Sequence, residues 1–267
     1  MGKELFTPLT KEVLKEGDSS LVCHQFQGVG KVESGFVTGL HGLEYRVINI
    51  VQSELNTNRV TGALRHSHIH ISHAHPDAIR ARTRKGNGVD INRQFVTPGD
   101  TPSYPGARLL KKAVGAFPVK YLFSFHEDHP DPQDPHDSPR PFYYYDIPQP
   151  SRDLSVDALV DRLNGHLIAS LRRKGFSTFT GIDDPDDLHL GSHFDNGYAK
   201  VPSTYYDTTF ETHMVDLGAR GLSTVQRAFV FEIPGRATLG EKKVHVHEIF
   251  KTFITPFICE ALPLPQT

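Results

Sequence analysis

Short apolar runs alternate along the chain with stretches whose apolar side chains recur every three or four positions. FVTGLHG, SHIHISHAH and YLFSFH have the composition and length of strands, whereas RVINIVQSELN and ARLLKKAVGAF put their apolar residues on one helical face. This rhythm predicts an α/β sheet with crossover helices. Further on, VDALVDRLNGHLIASLRRKGF reads as an amphipathic helix ended by Gly175, and AFVFEIPG as a fully apolar strand broken by Pro234. VHVHEIFKTFITPFICEAL reads as the last helix. Between residues 127 and 152 the chain is dense in proline and aspartate, which predicts a long ordered loop rather than a linker between domains. A long loop after a strand end is a place where function concentrates.

A length of 267 residues allows a buried central sheet, and one domain over residues 1–267 is the better expectation. Hydrophobic residues at 37% and charged residues at 22% describe an ordinary globular chain, and a formal charge of −2 gives no general pull toward nucleic acid or acidic membranes. The two cysteines, Cys23 and Cys259, lie near opposite ends, so neither a disulfide framework nor a cysteine metal site is supported. The N-terminal segment lacks the apolar core of a signal peptide and no stretch is apolar for the length of a membrane span, so the expected location is cytoplasmic. Sixteen histidines are the one compositional oddity. Because imidazole is the commonest metal ligand, they turn attention to a metal held by His and carboxylates.

Four short segments carry chemistry. HGLE, residues 41 to 44, follows a glycine-punctuated strand and precedes a helical run, so that His41 and Glu44 at i and i+3 could face one point. They would supply two of the three ligands of a catalytic zinc, although an isolated H-x-x-E is also a common surface helix pair. In GVDINRQF, residues 88 to 95, Arg93 beside Asn92 could bind a planar carboxylate in a bidentate way. The alternative is an ordinary Asp90–Arg93 ion pair with Asn92 in a turn. His126 ends the apolar run YLFSFH, the position from which α/β folds present ligands into a crevice, though a satisfied strand-end histidine is also common. Glu232 in FVFEIPG is flanked by apolar residues, where a carboxylate is costly unless paired, bound to metal or used as a base.

Together, over roughly residues 35 to 235, these segments resemble the zinc carboxypeptidase family, whose clan includes the succinylglutamate desuccinylases and aspartoacylases. The resemblance implies a three-layer α/β/α sandwich with a mixed central sheet. It also implies one zinc ion on His41, Glu44 and His126, a substrate carboxylate clamp at Asn92 and Arg93, and Glu232 as general base. An arginine that polarises the scissile carbonyl is implied upstream of the clamp; Arg84 is the first choice and Arg82 the second, although His75-Pro76-Asp77-Ala78 departs from the family's local turn. Tyr206 falls near the place of the family's mobile tyrosine, with spacing that does not match well. The expected reaction is hydrolysis of a peptide or amide bond next to a free carboxylate. H-E-D followed by an aromatic run looks more like the murein-peptide-type members. Deacylation of an N-acyl amino acid is the alternative, and a metal- or peptide-binding module without catalysis is a third reading.

Two further features compete for attention. His66, His68 and His70 alternate in HSHIHISHAH and would share one strand face, but they lack a carboxylate at ligand spacing. Glu127 directly follows His126 and reads either as part of a solvated loop, as a binder of a cationic substrate group, or as an acceptor that orients His126. Neither nucleic acid nor a membrane is an expected partner; a peptide or N-acyl amino acid with a free carboxylate is.

Overall fold

A computed structural model of the chain describes residues 10–16, 18–95, 101–129, 140–151, 153–182, 192–201 and 209–264. The strands are β1 (Thr10–Glu16), β2 (Ser19–Phe26), β3 (Val29–Thr38), β4 (His66–Ile71), β5 (Tyr121–Asp128), β6 (Tyr143–Pro148), β7 (Gly181–Ile182), β8 (His193–Phe194), β9 (Tyr198–Lys200) and β10 (Arg227–Pro234). The helices are α1 (Tyr45–Thr61), α2 (Pro76–Ala81), α3 (Pro105–Gly115), α4 (Leu154–Arg173), α5 (Phe210–Ala219), α6 (Leu239–Ile249) and α7 (Thr255–Ala261). Eight strands form one mixed sheet in the order β1-β2-β4-β3-β5-β10-β6-β9, and β7 pairs with β8 apart from it. The central strands β4, β3, β5 and β10 run parallel, while β2 and β6 flank them antiparallel.

Central parallel strands are covered on both faces, which is why YLFSFH and AFVFEI are apolar almost throughout. Alternation sends Phe123 and Phe125 of β5, with Phe229 and Phe231 of β10, to the face covered by α1, α4, α6 and α7. There the Phe36, Phe123 and Phe229 rings stack in sequence across three strands at 5.2 and 5.4 Å. Leu122 and Val230 point the other way and pack with Leu110 and Val114 of α3 and Met214 of α5. The layers are therefore helix, mixed sheet and helix, as the sequence implies. No helix among the described residues is long and apolar enough to cross a membrane.

The helix boundaries follow their caps. Gly62, at φ 72°, ends α1 in the left-handed region; Gly175, at φ 84°, lies just past α4. Asp153 caps α4 by accepting from Ser155 N, and Thr238 with Glu241 forms a capping box on α6. One expectation needs correction. The long loop expected from residue 127 to 152 contains a strand: β5 continues to Asp128, and β6 inserts FYYYD-run residues beside β10, with Tyr144 fully buried. Aromatic residues favour a pleated, packed surface, and that preference outweighs the prolines on either side. The last helix is present as expected and runs without a break from α6 through a π segment at Phe250–Ile254 into α7.

The alternating histidines are structural packing elements of β4. His70 bridges Thr38 Oγ1 at 3.1 Å and the Gln52 amide at 2.9 Å, while His68 stacks on Phe26 at 4.5 Å. Burial lowers His68 to about 4 and His70 well below the ordinary imidazole value. Their folded-state values lie below the unfolded value, so above about pH 6.5 both states are neutral and neither residue contributes. As pH falls below about 6.5 the unfolded chain takes up protons that the folded one refuses, and stability drops by about 1.4 kcal/mol per pH unit for each such group. For His68 the window closes near pH 4. Urea titrations between pH 6.5 and pH 4.5 should therefore show a stability slope smaller in His68→Phe than in the unmodified chain by about 1.4 kcal/mol per pH unit. Equal slopes would show that His68 is not held neutral.

Candidate metal centre and active site

The site is assembled where the parallel strands end. After β3 the chain turns at Gly39, whose φ of 73° lies in the left-handed region, and then forms a 3-10 turn over Gly42–Glu44 that leads into α1. Gly42 is required by proximity: a Cβ there would meet the Ala78 carbonyl oxygen at 1.8 Å. That close approach lays α2 against the turn and fixes His41 and Glu44. His41 N donates to Glu44 Oε2 at 3.0 Å, so backbone and carboxylate brace each other. His126 arrives from the end of β5.

These three residues converge. His41 Nδ1 lies 2.7 Å and His126 Nδ1 2.9 Å from the same atom, Glu44 Oε1. All three side chains are buried, and one ligand atom from each lies within 4.8 Å of the others. The far nitrogens are also held: His41 Nε2 lies 3.3 Å from Asp90 Oδ1, and His126 Nε2 lies 3.3 Å from Glu211 Oε1 and 3.2 Å from Ser124 Oγ. A ring whose Nε2–H donates to a carboxylate turns its Nδ1 lone pair to the opposite side. Two nitrogen lone pairs and a carboxylate oxygen then face one another, which is repulsive unless a proton or a cation lies between them.

The charges tell the same story. Burial by itself pushes both imidazoles down, yet the Glu44 charge raises His41, helped by hydrogen bonds to Asp90 and Glu44. For His126 the charges of Glu44 and Glu232 and the bond to Glu211 raise it well above the ordinary value. Burial alone would raise Glu44, but the two histidines hold it far below the usual carboxylate range. The centre therefore demands positive charge. Two imidazole nitrogens and one carboxylate oxygen also form the three-ligand set of a catalytic zinc site with an open position, so the residues fit a divalent metal.

Glu232 stands beside this centre. It is the direct neighbour of His126 in the parallel β5–β10 register, which puts both side chains on one sheet face, and it is half-buried. Arg84 Nε donates to Asp90 Oδ2 at 3.1 Å, and the charges of Asp90, Glu44 and Glu232 hold its guanidinium protonated against the opposing effect of burial. Arg82, by contrast, sits over the Tyr45 ring at 5.1 Å. Asn92 and Arg93 occupy the 3-10 turn that follows Asp90; Asn92 Oδ1 accepts from Phe210 N at 2.9 Å, while Arg93 is exposed. Tyr206 lies outside the described residues.

Glu127 is engaged within the protein. Its Oε1 accepts from Val47 N at 3.1 Å in the first turn of α1, and its Oε2 pairs with Lys242 Nζ and lies 3.2 Å from His129 Nε2. Glu127 and Lys242 side chains are 0% exposed, so the cationic group that Glu127 meets belongs to the protein itself. Lys242 also donates to Gly235 O at 2.9 Å. One ion pair thus ties together the start of α1 after Glu44, the end of β5 after His126, and the turn after β10.

Asp90 and Glu211 were not singled out from the sequence as partners of the ligands. Asp90 Oδ1 accepts from Asn92 N at 3.0 Å in addition to its contact with His41, so it joins His41, Arg84 and the turn that carries Asn92 and Arg93. The available signal for Glu211 was an acid in the almost wholly buried helix FETHMVDLGA, the same kind of anomaly that pointed to Glu232.

No protein-family model matches the sequence, and no curated protein does. Solved structures do match the fold. A candidate metallopeptidase from Shewanella amazonensis superposes with a TM-score of 0.65 at 18% identity, covering 94% of this chain and 86% of that one. A metallo-carboxypeptidase from Burkholderia cenocepacia gives 0.62 at 11% identity, covering 95% and 65%. A succinylglutamate desuccinylase/aspartoacylase from Rhodobacter sphaeroides gives 0.53 at 14% identity, covering 99% and 67%. The fold is therefore the one that the sequence resemblance implied.

The Glu127–Lys242 pair generates a prediction. Removing one partner of a buried ion pair strands the other, at a cost of about 3–5 kcal/mol. Loss of a group that positions metal ligands lowers metal affinity by about 10- to 100-fold. Glu127→Gln should show both effects in urea unfolding and chelator competition. The double variant Glu127→Leu/Lys242→Met should regain stability but keep weakened metal binding, because Val47 N remains without its acceptor. Metal affinity unchanged in both variants would contradict the positioning role.

Proposed function

We propose that this chain is a zinc-dependent hydrolase that cleaves a peptide or amide bond next to a free carboxylate. The observation that carries the reading is the convergence of His41, Glu44 and His126 on one buried point with Glu232 in register beside His126. The carboxypeptidase and desuccinylase/aspartoacylase neighbours support it at the level of fold.

His41, Glu44 and His126 would hold the zinc, which when bound supplies Lewis-acid polarisation and a water acidified toward neutrality. Glu232 accepts the proton of the attacking water and delivers it to the leaving nitrogen. The oxygen–carbon bond forms, the carbon–nitrogen bond breaks, and an acid and an amine leave. Arg84, aimed by Asp90, keeps N–H groups free for the oxygen on which negative charge develops. Arg93, exposed next to this centre, fixes the substrate by its terminal carboxylate, with the Asn92 amide nitrogen beside it. Such a clamp selects a carboxylate and leaves the neighbouring side chain open.

Two substrate classes meet these requirements. Peptide trimming, including murein-type peptides, is favoured by the forms of GVDINRQF and FVFEIPG; deacylation of N-acyl amino acids shares the chemistry and has a fold neighbour of that description. A panel of both classes separates them. Glu232→Gln should lower kcat by about 10²- to 10⁴-fold while metal content stays at the unmodified level, and Arg93→Gln should act chiefly on KM. Full hydrolysis by Glu232→Gln would refute the assignment of the base.

A further inference from the structure

The two histidines that converge on Glu44 are held from behind by carboxylates from different parts of the chain. Asp90 Oδ1 lies 3.3 Å from His41 Nε2, and Glu211 Oε1 lies 3.3 Å from His126 Nε2. One residue touches the mounts of both. The Asn92 backbone N–H donates at 3.0 Å to Asp90 Oδ1, the same oxygen that faces His41. The Asn92 side chain reaches α5, where its Oδ1 accepts from Phe210 N at 2.9 Å, one residue before Glu211. Asn92, Phe210 and Glu211 are all buried, so the protein rather than bulk water supplies the acceptor for that N–H.

The contact also fixes which way the amide faces. A backbone N–H only donates, so the Asn92 atom beside Phe210 N is the oxygen, and the Nδ2 hydrogens lie on the other side of the amide. Phe210 N is one of the groups at the start of α5 that have no partner inside the helix, and a buried one without an acceptor is costly. Thr209 Oγ1 serves another of them, at Thr212 N. The Phe95 ring packs against Phe210 at 5.3 Å and keeps α5 near the turn. Apolar packing is non-directional, however, so the hydrogen bond decides where the first turn of α5, and with it Glu211, comes to rest. Ser124 Oγ lies 3.2 Å from the same His126 nitrogen, but a hydroxyl both donates and accepts and does not select a tautomer. A carboxylate only accepts, so the tautomer and orientation of His126 depend on Glu211.

We propose that Asn92 is a positioning residue for the metal centre: through Phe210 N it places Glu211 against His126, while its own backbone N–H steadies Asp90 against His41. The proposal rests on the reading of His41, Glu44 and His126 as zinc ligands, and it gives Asn92 a task separate from contact with substrate.

The test measures the zinc affinity of the full chain by chelator competition, with folding checked by circular dichroism. Asn92→Ala should lower the affinity by about tenfold, the lower end of the loss expected for groups behind a metal ligand, because Asn92 acts at one remove. Asn92→Asp keeps an oxygen for Phe210 N at a helix start, where negative charge is favoured, and should restore the affinity. In a chain that already carries Glu211→Ala, Asn92→Ala should have no further effect on zinc, since the group it places is gone. Ser170→Ala removes a buried hydrogen bond to Glu248 between α4 and α6, on the other face of the sheet; it shows what lost stability alone does and should leave the affinity unchanged. Should Asn92→Ala fail to fold, Asn92→Leu, which keeps the volume and removes the acceptor, takes its place. Unchanged affinity in Asn92→Ala, a loss that Asn92→Asp does not restore, or an equal loss in the Glu211→Ala background overturns the proposal and leaves the zinc reading standing. Absence of zinc from the unmodified chain overturns both.

Discussion

Three buried polar side chains that point at one another are stable only with a positive charge between them, and the C-terminal end of the parallel strands is arranged around that constraint. Glu44 Oε1 is the common neighbour of both Nδ1 atoms. The opposite nitrogens are fixed by Asp90 and Glu211, so neither ring turns away to relieve the repulsion. An unsatisfied ionic group in such a place costs several kcal/mol. The outer carboxylates leave room at the centre for a positive charge, a proton or a cation, that satisfies all three side chains. In this respect Asp90 and Glu211 belong to the centre as much as the residues that would touch the metal.

The surrounding fold supplies these contacts from remote parts of the chain. Glu44 opens α1, His126 lies near the end of β5, Glu211 lies in the first turn of α5 and Asp90 precedes the turn of Asn92 and Arg93. Lys242 contributes from α6, where it neutralises Glu127 and reaches Gly235 after β10. A buried ion pair of this kind is weak evidence for overall stability and better understood as a device that sets register between elements. Here it joins the segments that carry Glu44, His126 and Glu232.

Much of this was legible in the sequence, and what was not has a physical cause. HGLE, YLFSFH and FVFEIPG each place a polar residue against an apolar background or a strand end, where a residue without a role would be costly. The alternation of β- and helix-like runs gave an α/β sheet with crossover helices, and the family resemblance implied its three layers. Glu127 was misjudged because sequence adjacency to His126 suggested the cleft, whereas its true partner is 115 positions away. Glu211 sits 85 positions from His126, and no local pattern encodes such a pairing. β6 was hidden by flanking prolines that shape its ends and leave its aromatic interior free to pack. The many histidines divide in the same way: His68 and His70 on β4 are held neutral by burial, whereas His41 and His126 are raised by carboxylates around them.

The most direct test of the central claim is elemental metal analysis of the purified, dialysed protein after exposure to a slight excess of zinc, set beside His41→Ala and His126→Ala. The account predicts one tightly held zinc per chain in the unmodified protein and its loss from both variants, with folding retained by circular dichroism. Zinc content that is unchanged in the variants, or a chain that retains none, would contradict it.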